Sequence, residues 1–318
     1  MPCYKPLEVW RSKYANKAGK FPVLFTHGPD CGERINIACG QCVGCRLERK
    51  RLWAVRLMHE AQIVEEEYGR DSMFITLTYD EEHLPFGGSL VKHHFQDFMK
   101  RFRRHIEPQR IRYYMCGEYG TTCEKHEIKE CPQCGPLQRP HYHAIIFGFG
   151  FPDKEEVAHR EGYPVYTSEF LHKRWPLGLH EIGNVTFESC AYVAGYIVEK
   201  RTGEEAIEYY HRYLPEFDAW CDIEPEFSLM SQGIGNQFYA LYYDDMYPKD
   251  QVYMLGRGNV GKPPKYYDLL HEESHPEEME KIREQRVERY KESIEKGPSL
   301  ASKEKVALAK LERQRRSF

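Results

Sequence analysis

The segment Arg139-Pro140-His141-Tyr142-His143-Ala144-Ile145-Ile146-Phe147 constrains the chain more than any other stretch. A strand turns successive side chains to opposite faces, so His141 and His143 share one face. Their Cα atoms then stand about 7 Å apart, given the rise per residue of a strand. Two imidazoles at that spacing can converge on one divalent ion. The apolar run behind them, Ala144 to Phe147, makes this a buried and rigid strand. A third ligand has to come from a neighbouring strand. Glu118, in Met115-Cys116-Gly117-Glu118-Tyr119-Gly120, sits near the end of the segment expected to pair with this one. Its carboxylate offers the hard oxygen that Mg2+ or Mn2+ prefers, while the imidazoles favour Mn2+ over Mg2+. Taken alone, a His-x-His pair is more often an ordinary surface or sheet feature.

The neighbouring segments define the frame. Leu47, Ala54, Leu57, Met58 and Ala61 fall at helical spacing after a turn-rich start, with Arg46, Arg49, Lys50, Arg51 and Arg56 between them. Ser72 to Tyr79 is rich in β-branched and aromatic residues and reads as a strand. A second helix carries Phe95, Phe98, Met99, Phe102 and Ile106 on one face and ends at Pro108. Strands are expected over 111–118, 141–149 and 180–187, and a helix over 188–200. This order predicts an α+β fold, a central antiparallel sheet with helices packed against one face. The domain reading is an N-terminal cysteine-cluster and helix region over 1–70, a core over 71–202 with an insertion at about 121–139, an aromatic-rich irregular region over 203–270, and a charged helical tail over 271–318 that is weakly anchored.

Tyr192 and Tyr196 lie at i and i+4 of the helix over 188–200, with Lys200 one turn further, so the three share a face. A core aromatic stripe would look similar, but such a stripe does not normally end in Lys. In the functional reading, one phenol attacks a phosphodiester to form a 5′-phosphotyrosyl link. The metal polarises the scissile phosphate, and Lys200 positions or neutralises it. Two nucleophiles on one face would allow a second nick while the first still holds DNA.

Charge and cysteine content narrow the setting. The net charge of −4 counts mildly against a nucleic-acid partner, yet basic residues concentrate around 46–56 and 100–112 while acidic ones crowd 204–250. Arg101, Arg103 and Arg104, interleaved with Phe102, could grip single-stranded DNA by charge and stacking. No apolar run approaches the roughly 18 residues needed to span a bilayer, and the N-terminus does not read as a secretory signal. The expectation is an intracellular protein without a membrane partner, in which the 11 cysteines stay reduced unless metal claims them. Cys39-x2-Cys42-x2-Cys45 offers three zinc ligands, with Cys31, Cys3 or a histidine as the fourth. Cys123-x2-His126-x4-Cys131-x2-Cys134 is close to a structural zinc knuckle within the insertion. Gly256 to Lys262 fits a phosphate-loop spacing, but Pro263 stands where Ser or Thr should follow.

Three blocks stand in order: Phe74-Ile75-Thr76-Leu77-Thr78-Tyr79, Arg139-Pro140-His141-Tyr142-His143, and Ala191 to Lys200 with Tyr192 and Tyr196. Together they resemble the motifs of the HUH endonuclease superfamily. More narrowly, with Cys39 to Arg46, Trp53 to Arg56 and His59-Glu60, the chain resembles the replication initiators of gokushoviruses, single-stranded DNA phages of the Microviridae. The resemblance covers roughly 39–200, with a looser match at Met230 to Gly235. It implies a ferredoxin-like nuclease fold, nicking and rejoining at a single-stranded DNA origin, His141 and His143 as metal ligands, and Tyr192 and Tyr196 as nucleophiles. It also implies work beside a host helicase and polymerase in the cytoplasm of an infected bacterium. The cysteine-bearing insertion departs from the simpler superfamily pattern, which weakens the transfer of Glu118. Two other readings stay open: a zinc-stabilised nucleic-acid-binding protein without catalysis, and a plasmid or transposon relaxase of the same chemistry.

Overall fold

The computed structural model describes residues 3–17, 19, 21–120, 122–123, 128–129, 138–160, 162–199, 204–214 and 217–315. Side chains are described within these except at 122–123, 128–129, 196–199, 205, 294 and 312–315. The chain opens with β1 (Leu7–Ser12), β2 (Val23–Leu24), β3 (Cys31–Ile37) and α1 (Val43–Tyr68). Then come β4 (Ser72–Tyr79), α2 (Lys92–Ile106), β5 (Arg112–Tyr119), β6 (Thr122–Cys123), β7 (Ile128–Lys129) and β8 (Pro140–Phe147). β9 (Glu155–Arg160), β10 (Tyr163–Thr167), α3 (Glu169–Arg174), β11 (Gly178–Asn184) and α4 (Phe187–Glu199) follow. The last third holds α5 (Glu204–Tyr209), β12 (His211–Leu214), β13 (Ala219–Asp222), β14 (Phe227–Met230) and α6 (Asn236–Met246). It continues with β15 (Val252–Met254), β16 (Gly258–Gly261), α7 (Lys265–Ser274), α8 (Pro276–Glu295) and α9 (Leu300–Arg315). Among the described residues no helix is long and apolar enough to cross a membrane.

The chain divides into two compact units, Met1–Lys50 with Leu269–Phe318, and Arg51–Asp268. In the first, β1 is the centre of an antiparallel sheet of order β2-β1-β3. The charged stretch near the C-terminal end carries α8 and α9. Met279 and Ile282 of α8 are buried, and His271, also buried, bonds Glu278 through its Nε2.

The second unit is built on a sheet of order β14-β5-β8-β4-β11-β10-β9, antiparallel throughout. Its strands cover the segments read as strands, with shifted ends: β8 stops at Phe147, and Phe187 opens α4 instead of closing β11. The edge strand β14 comes from the stretch that looked irregular. Its residues are too few and too mixed in polarity to show a strand period without their partner β5. The turn-like Gly256–Lys262 segment belongs to the β15–β16 hairpin, which is no phosphate loop.

Helices cover both faces of this sheet, which corrects the one-face arrangement expected from the element order. On one face Met73, Ile75, Leu77, Met115, Tyr142, Ala144 and Ile146 form a core with Phe95, Phe98 and Phe102 of α2 and Trp175 after α3. On the other, Tyr114, Cys116, Ile145 and Phe147 pack with Ala54, Leu57 and Val64 of α1 and with Cys190, Val193 and Ala194 of α4. The reason lies in β8 itself. Its apolar residues occupy both alternating sets, so either face left in water would expose large side chains. A Cβ on Gly117, directly opposite Tyr142, would be a tight fit, 3.1 Å from Leu90 and 3.3 Å from the Tyr142 ring, and both would have to give way slightly. The Tyr142 hydroxyl lies 2.6 Å from that of Tyr79 and bonds both the N–H and the carbonyl of Val91. That bonding fastens the start of α2 to the centre of the sheet.

His59 of α1 is a buried titratable group. Its Nε2 faces the Tyr253 carbonyl at 3.0 Å and its Nδ1 faces the Tyr267 hydroxyl at 3.0 Å, and its ring stacks on Phe238 at 3.5 Å. A carbonyl only accepts, so Nε2 carries the proton and Nδ1 accepts from Tyr267: the neutral ring is fully satisfied. Burial lowers its pKa from 6.5 to about 4, against the pull of the Tyr253 carbonyl. The unfolded chain takes up this proton near pH 6.5, but the folded one not until about pH 4. Stability from the neutral ring is therefore fully present above that upper value and lost as pH falls towards the lower, by on the order of 3 kcal/mol. In urea titrations across this window, His59→Gln should be less stable than wild type at neutral pH and lose less on acidification. Parallel pH dependences would rule out the assignment.

Candidate metal centre and nucleophile

Strand register assembles the site. Glu118 on β5 stands directly across from His141 on β8, and Cys116 across from His143. On the other side of β8, Thr76 of β4 stands across from His143. All of these point to the face that carries α1 and α4. Glu118 and His143 are buried, and His141 is nearly so, its side chain 18% exposed. Glu118 Oε1 lies 2.7 Å from His141 Nε2 and 2.8 Å from His143 Nε2. The three donor atoms all lie within 4.8 Å of one another.

Helix α4 adds the fourth member. Its start is fixed by a reciprocal cap: Thr186 N–H donates to Ser189 Oγ at 2.9 Å, and Ser189 N–H to Thr186 Oγ1 at 3.1 Å. Cys190, Val193 and Ala194 then face the sheet and are buried. Tyr192, on a different side of the helix and 42% exposed, reaches the cluster with its tip. Its hydroxyl donates to Glu118 Oε1 at 3.1 Å and lies 3.4 Å from His143 Nε2. Phe74 stacks on His143 and meets Tyr192 edge-on, closing the side of the cluster.

The donor set fits a divalent cation. His141 Nδ1 faces the Arg139 carbonyl at 3.0 Å, an acceptor only, so Nδ1 carries a proton, and Nε2 is the nitrogen left to give Glu118 a hydrogen bond or a metal a lone pair. Two acceptors at 2.7 Å repel unless a proton or a cation lies between them. A ligating imidazole characteristically gives its other N–H to a carbonyl in this way. Thr76 Oγ1 orients His143 likewise through Nδ1, at 2.9 Å. Glu118 Oε2 is buried with no hydrogen-bond partner among the described residues, which leaves a carboxylate oxygen for a ligand. Burial alone would raise the Glu118 pKa. The charge of His143 and hydrogen bonds with both histidines outweigh it and hold the carboxyl down at about 2. Burial pushes His143 below the usual imidazole value, against Glu118, which favours its neutral form. Metal binding requires a charged carboxylate and imidazoles whose Nε2 has released its proton.

Of the residues singled out in the sequence, Glu118, His141, His143 and Tyr192 come together here. Tyr196 lies one turn further along α4, with its side chain outside the described residues, as Lys200 is entirely. Arg101, Arg103 and Arg104 ride on α2, which covers the opposite face of the sheet. Arg101 bonds the Arg174 carbonyl, Arg103 lies over the Tyr113 ring and Arg104 is exposed. Of the insertion cluster, Cys123 falls on β6 with its side chain outside the described residues, as His126, Cys131 and Cys134 are entirely. Cys39, Cys42 and Cys45 do converge, and Cys3 joins them. Sequence reasoning missed the supporting roles of Thr76 and Phe74. The alternation Phe74-Ile75-Thr76 already put both on one face, but only the β4–β8 register shows which histidine they meet.

A sequence-family profile described as replication-associated protein ORF2/G2P matches residues 72–201. The chain is 28% identical over 309 residues to Replication-associated protein ORF2 of Spiroplasma virus 4, covering 90% of this chain and 86% of that protein. It is 31% identical over 247 residues to Replication-associated protein VP4 of Bdellovibrio phage phiMH2K, covering 75% and 68%. With Replication-associated protein ORF4 of Chlamydia phage 1 it shares 26% identity over 250 residues, 74% of this chain and 53% of the relative. No solved structure shows significant similarity.

Replacing the shared ligand tests the centre directly. Glu118→Gln keeps the shape but loses the charge, and should weaken Mn2+ binding by about tenfold or more in isothermal titration. Unchanged affinity would place the ion elsewhere.

Proposed function

The chain belongs to the gokushovirus-type family of phage replication-associated proteins, and from that premise we propose that it is an HUH-type endonuclease that starts rolling-circle replication. In this reading the sheet bearing Glu118, His141 and His143 is the ferredoxin-like nuclease core, and the substrate is a single-stranded DNA origin. One observation carries the reading: the Tyr192 hydroxyl stands 3.1 Å from Glu118 Oε1 and 3.4 Å from His143 Nε2. A phenol within hydrogen-bond reach of a metal-type cluster has few structural uses when it is also open to solvent.

Glu118, His141 and His143 would hold Mg2+ or Mn2+, which supplies Lewis-acid polarisation of the scissile phosphate. Tyr192 Oη forms a bond to phosphorus on the 5′ side while the bond to the 3′ oxygen breaks. The phenolic proton passes to solvent, and the released 3′ oxygen takes one up. The phosphotyrosyl diester keeps the bond energy of the phosphodiester it replaces, so attack by a 3′ hydroxyl reverses the step and rejoins the strand without ATP. Tyr196, one helical turn on, would serve as the second nucleophile, and Lys200 would position the phosphate. Arg103 and Arg104, with Arg101, would hold DNA away from the point of cleavage. Unwinding and synthesis would fall to a host helicase and polymerase, in the cytoplasm of the infected bacterium.

The experiment is a single-stranded origin oligonucleotide incubated with the full chain and Mn2+, with covalent adducts resolved by denaturing gel and mapped by mass spectrometry. Wild type should yield an adduct on a tyrosine of α4. Tyr192→Phe should lose first-strand cleavage by at least about 100-fold, whereas Tyr196→Phe should retain the first cut and lose the second. Cleavage at the wild-type rate by the double variant would overturn the tyrosine assignment, and a wild type that binds the oligonucleotide but neither cuts it nor forms an adduct would instead favour a zinc-stabilised DNA-binding protein without catalysis.

A further inference from the structure

The unit of Met1–Lys50 with Leu269–Phe318 holds a second ligand cluster of a different chemical kind. Cys3 and Cys42 are buried, and Cys39 and Cys45 partly so. Cys3 Sγ lies 3.7 Å from Cys39 Sγ and 3.9 Å from Cys42 Sγ, and all four sulfurs lie within 4.8 Å of one another. A disulfide needs about 2.05 Å, so these are free thiols. Tetrahedral zinc with Zn–S bonds of about 2.3 Å has sulfur–sulfur edges of about 3.8 Å, close to the 3.7 and 3.9 Å that separate Cys3 from Cys39 and Cys42.

The backbone around the cluster is turned towards sulfur. Tyr4 N–H donates to Cys42 Sγ, Cys39 N–H to Cys3 Sγ and Cys42 N–H to Cys39 Sγ, each at 3.3 Å. Such donors favour thiolate, the metal-binding form. Among the described residues no carboxylate or imidazole joins the group, and soft thiolates select zinc over Mg2+ or Mn2+. Cys31, equally buried, is not a member: its sulfur contacts the Thr26 carbonyl and the Gly28 N–H instead.

We infer that Cys3, Cys39, Cys42 and Cys45 form a closed four-thiolate Zn2+ site that holds the N-terminal sheet to the start of α1. The ligands come from the chain ahead of β1, from the segment after β3, and from the entry and first turn of α1. Cys3 and Cys39 are 36 residues apart, so the ion closes a long loop. Free energy of binding at such a site becomes free energy of folding for the segments it joins. With all four positions filled by sulfur the site offers no place for substrate, and its role is structural.

The test measures metal content of the full-length protein purified without chelator, by elemental mass spectrometry. Relative to wild type, Cys3→Ser should lose about one equivalent of zinc and Cys31→Ser none. Wild-type zinc in Cys3→Ser would overturn the assignment, as would a disulfide at any of the four cysteines on intact mass. Should Cys3→Ser prove insoluble, the wild type decides. Peptides bearing these cysteines should resist iodoacetamide until a strong chelator is added, and immediate labelling would exclude the site. Because no arm reads cleavage, failure here leaves the nickase reading untouched.

Discussion

The pairing of β8 between β5 and β4 is the constraint on which the site depends. Antiparallel register sets Glu118 opposite His141 and both Cys116 and Thr76 opposite His143. A slip of one residue would turn both histidines to the α2 face and leave Tyr142 among the ligands, since side chains alternate with a period of two. The register is held by apolar residues with no second arrangement. Ile145 and Phe147 fill one core while Tyr142, Ala144 and Ile146 fill the other, and the Tyr142 ring packs closely against the bare backbone of Gly117. Packing on both faces thus fixes the place of three polar side chains.

The same burial makes the site costly to the fold. A buried carboxylate with one oxygen that has no hydrogen-bond partner among the described residues is an arrangement that a structure optimised for stability alone would avoid. The two cores on either side of the sheet offset that cost. The candidate ligands are brought together by the strand register itself, before any ion arrives. Tyr192 is held differently. It leans out from a helix whose buried residues, Cys190, Val193 and Ala194, anchor it to the sheet, and this leaves the phenol accessible to a large substrate.

Much of this was legible in the sequence, because the signals were local. Alternation in Ser72–Tyr79 and the face of Phe95, Phe98, Phe102 and Ile106 on α2 are properties of a single element. The His-x-His spacing is local too. What could not be read were the pairings between distant segments. The short β14 shows its nature only beside β5, and the second helical layer follows from α1 and α4 meeting one face of the sheet. Cys3, 36 residues from Cys39, could not be told from Cys31 as a fourth thiol until β1 and β3 were paired. Glu118 lies between these cases: its place near a strand end was visible, but its alignment with His141 depended on register.

The two clusters also sort their ions by chemistry. One carboxylate and two imidazoles, with an oxygen left open, suit a hard or borderline cation that must keep positions for substrate. Four sulfurs with backbone N–H groups turned towards them suit a soft one that exchanges with nothing. A chain that needs one labile and one permanent ion in the same solution cannot rely on affinity alone, because zinc outbids Mg2+ and Mn2+ at most nitrogen and oxygen sites. A four-thiolate cage gives zinc a closed site of its own. At the Glu118 centre, under the proposed function, exchange and availability, together with the open coordination that phosphodiester cleavage would demand, would then decide which ion is bound.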